Sequence, residues 1–420
     1  SELLGRLPRP VLLSIATSST DPGELAHLAR LSATFAGADP GGRIELQFKK
    51  SGENLYRPDI SDHDLFEAVA NNPFLPDNYK VAMVIRPGAQ GGSEIVGDFH
   101  EGSTHVYEYL RRNSYIGGGH YAANMADDAI RYDIDRLDLT DMTGLRQLYY
   151  QRSYVRLADE LDIHYAPDSL DATGLESLRQ QIIEHPGLNS LPFGATLWGW
   201  NFGFDFSPTG YRLHASHQQI HQQYAMVPSE FSSYVNGRPI PESNTHPFSA
   251  GDMIHEAMSQ YQAHHGTLLF EDYLKALYSN QRMDDRQDLE TNLVIWEDDC
   301  VLLFVPKAQV SQWELQIMTK PDASGSWPGN ILETDHLYRA ALDTALLTAQ
   351  KALANLGARM VTSIEFGKRF QARTSQQPLI YSLMPKIPYS PGALSETQFR
   401  FINGHYPEDF ATACRRWLNN

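Results

Sequence analysis

The order of apolar and polar positions predicts that helices and strands follow one another along the whole chain. In the long segments, apolar residues recur three and four positions apart and so share one face of a helix. The short segments alternate apolar with polar residues, or are apolar throughout, which is typical of strands. Helices are predicted over residues 22–36, 65–70, 138–161, 170–185, 335–356 and 252–279, the last interrupted at Gly266. Strands are predicted over residues 11–16, 43–48, 80–85, 104–110, 194–200, 292–296, 300–305, 313–318 and 379–385.

The charge and the cysteine content narrow the class of protein. The 420 residues include 51 acidic and 34 basic side chains, giving a net charge of −17 that would repel nucleic acid and anionic membrane surfaces. The two cysteines, Cys300 and Cys414, cannot form a disulfide framework and fit a reducing compartment. No apolar run is long enough to span a membrane or to form a signal-peptide core. We therefore expect a cytoplasmic globular protein that binds neither nucleic acid nor membranes.

The segment 213–228, LHASHQQIHQQYAMVP, contains the most informative chemistry in the chain. In a helix, His214, His217 and His221 would share one face and could hold a metal ion, as in a histidine-ligated metalloenzyme. In a strand, His221 and Gln223 would alternate onto one side. The turn residues at 207–210 and the exit at Pro228 favour the strand. The metalloenzyme stays open as an alternative that requires a helix here.

The pattern Ser216-x-x-Gln219-x-His221-x-Gln223 resembles the Ser-x-x-His-x-His-x-Gln signature of the galactose-1-phosphate uridylyltransferase branch of the histidine-triad (HIT-like) superfamily. The resemblance implies that His221 is the nucleophile, that Gln223 holds phosphoryl oxygens and that Ser216 contacts phosphate. Gln219 stands where the family has its first histidine, which commonly ligates a structural zinc ion. We therefore expect no zinc of that kind, and no other cofactor is implied.

Later segments carry the same resemblance. The block 292–321 is similar to a strand–turn–strand segment of the family, and Trp313-Glu314 stands where the family has Trp-Pro-Phe-Glu. The resemblance implies an α+β fold with a duplicated HIT-like unit, in which two antiparallel half-barrel sheets are flanked by helices. Its expected divisions are an N-terminal half with the histidine motif, a helical connection and a C-terminal half, over residues 1–250, 251–290 and 291–420. Since relatives are often dimers, a homodimer is expected.

The implied chemistry is a double displacement at phosphorus. A neutral imidazole at His221 can attack the α-phosphorus of a nucleotide, and the nucleotidyl group then passes to a phosphate-bearing or anionic acceptor. The amide of Gln223 and the hydroxyl of Ser216 can donate hydrogen bonds to the phosphoryl oxygens. The remaining candidates for substrate binding are Gln219, Asn201, Arg212, Glu314 and Lys307, with Arg212 or Lys307 neutralising the leaving phosphate.

The family resemblance also implies a class of substrate. The resemblance implies a nucleoside diphosphate derivative or a dinucleotide as donor, and phosphate or a sugar phosphate as acceptor. The absence of a C-x-x-C pattern and the glutamine at position 219 favour adenylyl transfer slightly over uridylyl transfer. A relative that binds nucleotides without catalysis is the second alternative, because the first histidine of the signature is missing. Such a protein would bind nucleotide and form no covalent adduct.

Overall fold

The computed structural model describes most of the chain as helices and antiparallel strands, a mixed α and β architecture. The described residues are 3–37, 44–50, 56–72, 74–83, 115–116, 120–121, 137–166, 170–203, 221–358, 360–386 and 405–418. They belong to two compact units, the first formed by Ser1–Arg131 with Ala166–Asp171 and the second by Tyr132–Tyr165 with Ala172–Asn420. No helix among these residues has both the length and the apolar character needed to cross a membrane.

The first unit contains four α-helices, a short 3-10 helix (Leu4–Arg6) and six short strands among its described residues. The helices are α1 (Arg9–Ser18), α2 (Pro22–Ser32), α3 (His63–Ala70) and α4 (Asp77–Met83). The strands are β1 (Phe35–Gly37), β2 (Ile44–Leu46), β3 (Phe48–Lys50), β4 (Tyr56–Pro58), β5 (Tyr115–Ile116) and β6 (His120–Tyr121). The side chain of Asp21 caps α2 by accepting from the Gly23 amide at 2.8 Å, which explains why the predicted start at Pro22 is confirmed.

Two predicted strands of the first unit are wrong. Residues 11–16 lie within α1 and residues 80–83 within α4. A short apolar run fits a buried helix as well as a buried strand, and here Ala16, Tyr79 and Met83 are buried in a core between helices. The predicted strand 104–110 lies outside the described residues.

The second unit is built on one antiparallel sheet of seven strands. These are β7 (Phe193–Gly203), β8 (His221–Pro228), β11 (Val294–Glu297), β12 (Val301–Phe304), β13 (Leu315–Thr319), β14 (Met360–Phe366) and β15 (Ile380–Lys386). Their order across the sheet is β11-β12-β13-β15-β14-β7-β8. A separate hairpin joins β9 (Phe231–Val235) to β10 (Arg238–Thr245). The strands predicted at 194–200, 292–296, 300–305, 313–318 and 379–385 are confirmed, while β9, β10 and β14 are additions.

This sheet combines strands from both predicted halves of the chain. Strands from before residue 250 and from after residue 291 pair directly, because β7 hydrogen-bonds to β14 with Asn201 opposite Thr362. Among the described residues there is therefore one seven-stranded sheet where two half-barrel sheets were predicted. Positions 250 and 290, where boundaries were predicted, both lie within the second compact unit.

Helices flank the sheet. The second unit contains α5 (Leu139–Glu160), α6 (Ala172–Glu184), α7 (Ala250–His265), α8 (Leu269–Tyr278), α9 (His336–Asn355) and α10 (Pro407–Leu418). The first five of these were predicted, and their ends reflect local capping. Asp138 and Asp141 form a capping box at the start of α5, and the Asp335 carboxylate accepts from the Leu337 amide at 2.9 Å to cap α9. Gly266 ends α7 in the left-handed region, with φ of 73°.

Strand alternation gives the sheet two unlike faces near β8. The buried face packs against α5, as shown by the Tyr149 and Trp198 rings, whose centroids are 6.1 Å apart. The opposite face, here called the exposed face, is defined by Leu197, Gly199 and Asn201 of β7, Gln223 and Ala225 of β8, and Thr362 and Ile364 of β14. On it Leu197 is 39% and Ile364 is 36% exposed. Helices α7 and α8 cover the continuation of this face over β12, β13 and β15.

A candidate active site on the exposed face

The histidine motif lies on the edge strand of the sheet as far as it is described. His221 is the first residue of β8, so the extended conformation predicted for residues 221–228 is confirmed. Ser216, Gln219, Arg212, His214 and His217 lie outside the described residues. Among the residues that are described, no three or more histidine, cysteine, aspartate or glutamate side chains are grouped as metal ligands.

The strand register defines two rows of positions that cross the exposed face. In the Asn201 row, His221 of β8 is opposite Asn201 of β7, which is opposite Thr362 of β14. In the Gly199 row, Gln223 is opposite Gly199, which is opposite Ile364. Directly opposed residues of antiparallel strands occupy the same face with their Cβ atoms about 5 Å apart. The register thus brings two predicted site residues, His221 and Asn201, to adjacent positions.

Asn201 is held by a hydrogen bond that the sequence did not reveal. The Thr362 hydroxyl donates to Asn201 Oδ1 across the β7–β14 pair at 2.7 Å, in a half-buried setting. Thr362 was not predicted as a site residue, because its approach to Asn201 depends on a pairing between residues 161 positions apart. No local pattern in the sequence reports such a contact.

In the Gly199 row, the surface next to Gln223 is not covered by a side chain from β7. Gly199 carries no side chain, and a Cβ atom there would lie 3.0 Å from the Ser363 carbonyl oxygen, closer than side-chain atoms normally come. Gln223 is exposed, as is Ala225 two residues farther along β8. The surface beside Gln223 is therefore low and accessible, which suits the approach of a ligand.

The residues that alternate with the motif fasten β8 to α5. Gln222 accepts a hydrogen bond from Trp198 Nε1 at 2.7 Å and donates to the Leu145 carbonyl at 3.1 Å. Tyr224 packs against Tyr149, with 5.8 Å between ring centroids. A strand whose alternate side chains are fixed in this way has a defined register, so the contacts of the buried face set the position of Gln223 on the exposed face.

A cluster of charged side chains, formed by Arg146, Asp343 and Glu365, lies on the buried face of the sheet. Arg146 of α5 is fully buried, and its guanidinium carbon lies 4.2 Å from the centroid of the Trp198 ring. Its Nη2 donates to the hydroxyls of Tyr150 at 2.8 Å and Tyr381 at 2.6 Å. Arg146 is thus anchored by aromatic rings and phenolic oxygens as well as by charge.

Two buried carboxyl groups accompany Arg146. The Asp343 Oδ1 atom lies 3.8 Å from Arg146 Nε, and the Glu365 Oε2 atom lies 3.9 Å from Arg146 Nη2. Burial raises the pKa of Asp343 to about 7, although the charge of Arg146 opposes this shift. Burial also raises the pKa of Glu365, against the opposing effects of Arg146 and of hydrogen bonds from Tyr381 and Tyr149. The cluster beneath the sheet therefore contains one carboxyl group, that of Asp343, with a pKa near neutral.

Two other predicted substrate contacts have partners within the protein. The buried Glu314 carboxylate accepts from Ser382 Oγ at 2.7 Å, from Gln316 Nε2 at 3.0 Å and from the Val310 amide at 2.7 Å. Its predecessor, Trp313, has φ of 60°, a left-handed conformation that is costly for a bulky residue, and stacks on Phe410. These contacts fix Glu314 at the start of β13.

Lys307 follows β12 and is similarly engaged. Its Nζ atom donates to the Gln281 carbonyl at 2.7 Å and pairs with the buried Glu408 carboxylate of α10. Four strand spacings separate β13 from β8, about 19 Å along the sheet, and β12 is one strand farther away. The structure therefore does not bring Glu314 or Lys307 next to His221, and their contact with substrate stays a prediction.

Comparisons with known proteins find likenesses in structure only. No family model and no curated protein matches the chain. A uridylyltransferase mutant is similar over 59% of this chain and 71% of its own, with 14% identity and a TM-score of 0.38. A GalT-like protein from Arabidopsis thaliana is similar over 68% of this chain and 70% of its own, with 14% identity and a TM-score of 0.40.

An ADP-glucose phosphorylase from Arabidopsis thaliana, solved with bound ADP-glucose, is also similar. The likeness covers 58% of this chain and 66% of the phosphorylase, with 14% identity and a TM-score of 0.36. Identities and TM-scores as low as these assign no function to this chain.

Proposed function

We propose that this protein is a nucleotidyltransferase or phosphorylase that carries a nucleoside monophosphate on His221. The observation that carries the proposal is the register of β8. In this register His221 is opposite Asn201, and Gln223 lies two residues along β8 on the exposed face. Two neutral amide side chains thus flank the position of a histidine, an arrangement suited to binding a phosphoryl group beside a nucleophile.

The proposed reaction has two displacements at the α-phosphorus. In the first, an imidazole nitrogen of His221 forms a bond to phosphorus while the bond to the bridging oxygen breaks, and the leaving phosphate ester keeps the electron pair. In the second, an oxygen of phosphate or of a sugar phosphate attacks the same phosphorus and displaces the imidazole. The amides of Gln223 and Asn201 donate to the non-bridging oxygens, and those hydrogen bonds strengthen as charge accumulates in each transition state.

The donor in this proposal is a nucleoside diphosphate derivative or a dinucleotide, with adenylyl slightly favoured over uridylyl. ADP-glucose and UDP-glucose present the same α-phosphorus with different bases, so they are the first donors to compare. The cytoplasmic location, expected from the cysteine content, and the homodimer, which the family resemblance implies, are part of the same proposal. The second candidate is a protein that binds nucleotides without forming an adduct, which the glutamine at position 219 favours.

Intact-protein mass spectrometry tests the proposal. The wild-type protein is incubated with ADP-glucose or with UDP-glucose and compared with His221→Ala. His264→Ala serves as the matched control, because it removes an exposed histidine from α7. We expect an acid-labile mass increase of one nucleotidyl group in the wild type and in His264→Ala, and none in His221→Ala. Nucleotide binding without an adduct for either donor would instead support the binding protein.

A further inference from the structure

The Asn201 row contains a residue for which the proposed mechanism gives no role. Thr362 lies on β14, a strand paired on one side with β7 and on the other with β15. Its register partner on β7 is Asn201, whose own partner on β8 is His221. Asn201 is therefore the middle position of the row, with a threonine on one side and the proposed nucleophile on the other.

The hydrogen bond between Thr362 and Asn201 engages the oxygen of the Asn201 carboxamide and leaves its nitrogen for another partner. The Thr362 hydroxyl donates to Asn201 Oδ1 at 2.7 Å. A carboxamide carries its oxygen and its nitrogen on the same planar carbon, about 120° apart. Because the Asn201 oxygen is held by Thr362 of β14, the Nδ2 group is left to meet a partner other than Thr362. This contact determines which end of the carboxamide can meet a ligand.

We infer that Thr362 is a positioning residue, which orients the Asn201 carboxamide so that its nitrogen donates to a phosphoryl oxygen of the nucleotide at His221. This inference rests on the proposed function and extends it to a residue that contacts no substrate. An amide presented by its nitrogen can only donate hydrogen bonds, so its ligand atom must be an acceptor. Phosphoryl oxygens meet that condition, whereas a sugar hydroxyl can be accommodated by either end of a carboxamide.

The side chain and the strand of Thr362 are both rigid, which suits Thr362 to orienting the Asn201 side chain. Threonine is branched at Cβ and has few side-chain conformations in a strand. The strand itself is held on both sides, because residues 360–364 pair with β7 and residues 360–366 pair with β15. The hydroxyl therefore occupies a defined place relative to Asn201. A donor that is oriented before the ligand arrives needs no reorganisation when charge develops on phosphorus.

Four variants separate a positioning role from a purely structural one. Thr362→Val keeps the shape of the side chain and removes the hydroxyl, whereas Thr362→Ser keeps the hydroxyl. Asn201→Ala removes the proposed donor. Thr344→Val is the control, because it deletes a half-buried threonine hydroxyl on α9 that bonds the Ala340 carbonyl of its own helix at 2.9 Å. Thermal unfolding of each variant shows whether the fold is kept.

The measurement is the single-turnover rate of nucleotidyl-enzyme formation with ADP-glucose and with UDP-glucose, together with the affinity for each donor. We expect Asn201→Ala to slow adduct formation roughly 100-fold. We expect Thr362→Val to slow it about tenfold, with a smaller loss of affinity, because the misdirected amide still binds the ground state in part. Thr362→Ser should restore the rate to within about threefold of wild type, and Thr344→Val should not change it.

The outcomes distinguish this inference from the proposed function. If the wild type forms the adduct and folded Thr362→Val forms it equally fast, the role of Thr362 is refuted while the transferase stands. If the wild type binds nucleotide without forming an adduct, the proposed transferase activity is refuted. The nucleotide affinities of the Thr362 variants then test the positioning role of Thr362. Weaker binding in Thr362→Val that Thr362→Ser restores would then support the positioning role, and unchanged binding would refute it. If no nucleotide binds, both are wrong.

Discussion

Arg146 and Asp343 face each other inside the protein, with Arg146 Nε 3.8 Å from Asp343 Oδ1 and both side chains buried. The distance is that of an ion pair without a hydrogen bond. A carboxylate removed from water and not stabilised by a hydrogen bond from its cation loses much of its hydration energy, and burial consequently raises the pKa of Asp343 to about 7. Protonation of this one group therefore couples the stability of the second unit to pH.

The first prediction concerns this coupling. Between about pH 4 and pH 7 the folded protein holds a proton on Asp343 that the unfolded chain has lost, so this group's contribution to stability falls as the pH rises. The asparagine of the Asp343→Asn variant does not ionise in this pH range, so the stability of the variant should not show this fall. From about pH 5 to about pH 8, we expect the free energy of unfolding of the wild type to drop relative to the variant by about 2–3 kcal/mol. Urea denaturation at both pH values measures the difference, and parallel pH profiles would show that Asp343 does not titrate in this range.

The second prediction concerns Arg146. Replacing Arg146 by leucine leaves two buried carboxyl groups, Asp343 and Glu365, without their cation, and should lower the free energy of unfolding by about 3–5 kcal/mol at neutral pH. The control is Arg156→Leu, on the same helix, where the arginine is half-buried, pairs with Glu160 at 3.3 Å and lies over the Phe193 ring. Its cost should be below about 1 kcal/mol. Equal costs for the two variants in denaturant titrations would contradict the importance assigned to the buried cluster.

The third prediction uses two neighbouring glutamines on opposite faces of β8. Gln222 bonds Trp198 and the Leu145 carbonyl, so Gln222→Ala should cost about 1–3 kcal/mol of stability by leaving buried polar groups without partners. Gln223 is exposed, so Gln223→Ala should leave stability within about 0.5 kcal/mol of wild type. The same variant should slow formation of the nucleotidyl adduct roughly 100-fold.

Thermal unfolding and single-turnover kinetics on both glutamine variants test this separation. If Gln223→Ala destabilises the protein as much as Gln222→Ala does, the assignment of the two faces is wrong. If Gln223→Ala forms the adduct at the wild-type rate, Gln223 has no role in the chemistry. Each variant is the control for the other, because both remove the same side chain from the same strand.

The elements that the sequence predicts well are those specified by local chemistry. The starts of α5 and α9 follow from Asp138 and Asp335, whose carboxylates cap amides two or three residues away. The glycine at 266 marks the end of α7 because few other residues adopt its left-handed conformation. In each case the partners are neighbours in the chain, so the sequence contains the whole interaction.

Strand β14 shows why other parts could not be predicted. Its residues Ser363 and Glu365 are polar yet lie on the buried face, while Ile364 between them is partly exposed, which reverses the usual pattern of a half-buried strand. Glu365 is accommodated there because Tyr149 and Tyr381 donate to it, and Tyr149 comes from more than 200 residues away. Thr362 was missed for the same reason, since its significance depends on the partner strand.

In the candidate site, too, the features set by neighbouring residues were predictable and the contacts with distant residues were not. The extended conformation at His221 and the exposure of Gln223 follow from the alternation in the motif, which the sequence displays. The internal partners of Lys307 and Glu314 do not follow from any motif. Glu408 approaches Lys307 from a helix near the end of the chain, and Ser382 approaches Glu314 from a strand 68 residues away. Only the fold reveals that these charges have other partners.

Peptide mapping of the reacted protein tests the central claim most directly. After a single turnover with ADP-glucose or UDP-glucose, the protein is digested under neutral conditions and the modified residue is located by tandem mass spectrometry. We expect one acid-labile nucleotidyl group on His221, with glucose 1-phosphate released in equal amount. A nucleotidyl group on another residue, or release of glucose 1-phosphate without any bound nucleotidyl group, would contradict the claim that His221 carries the intermediate.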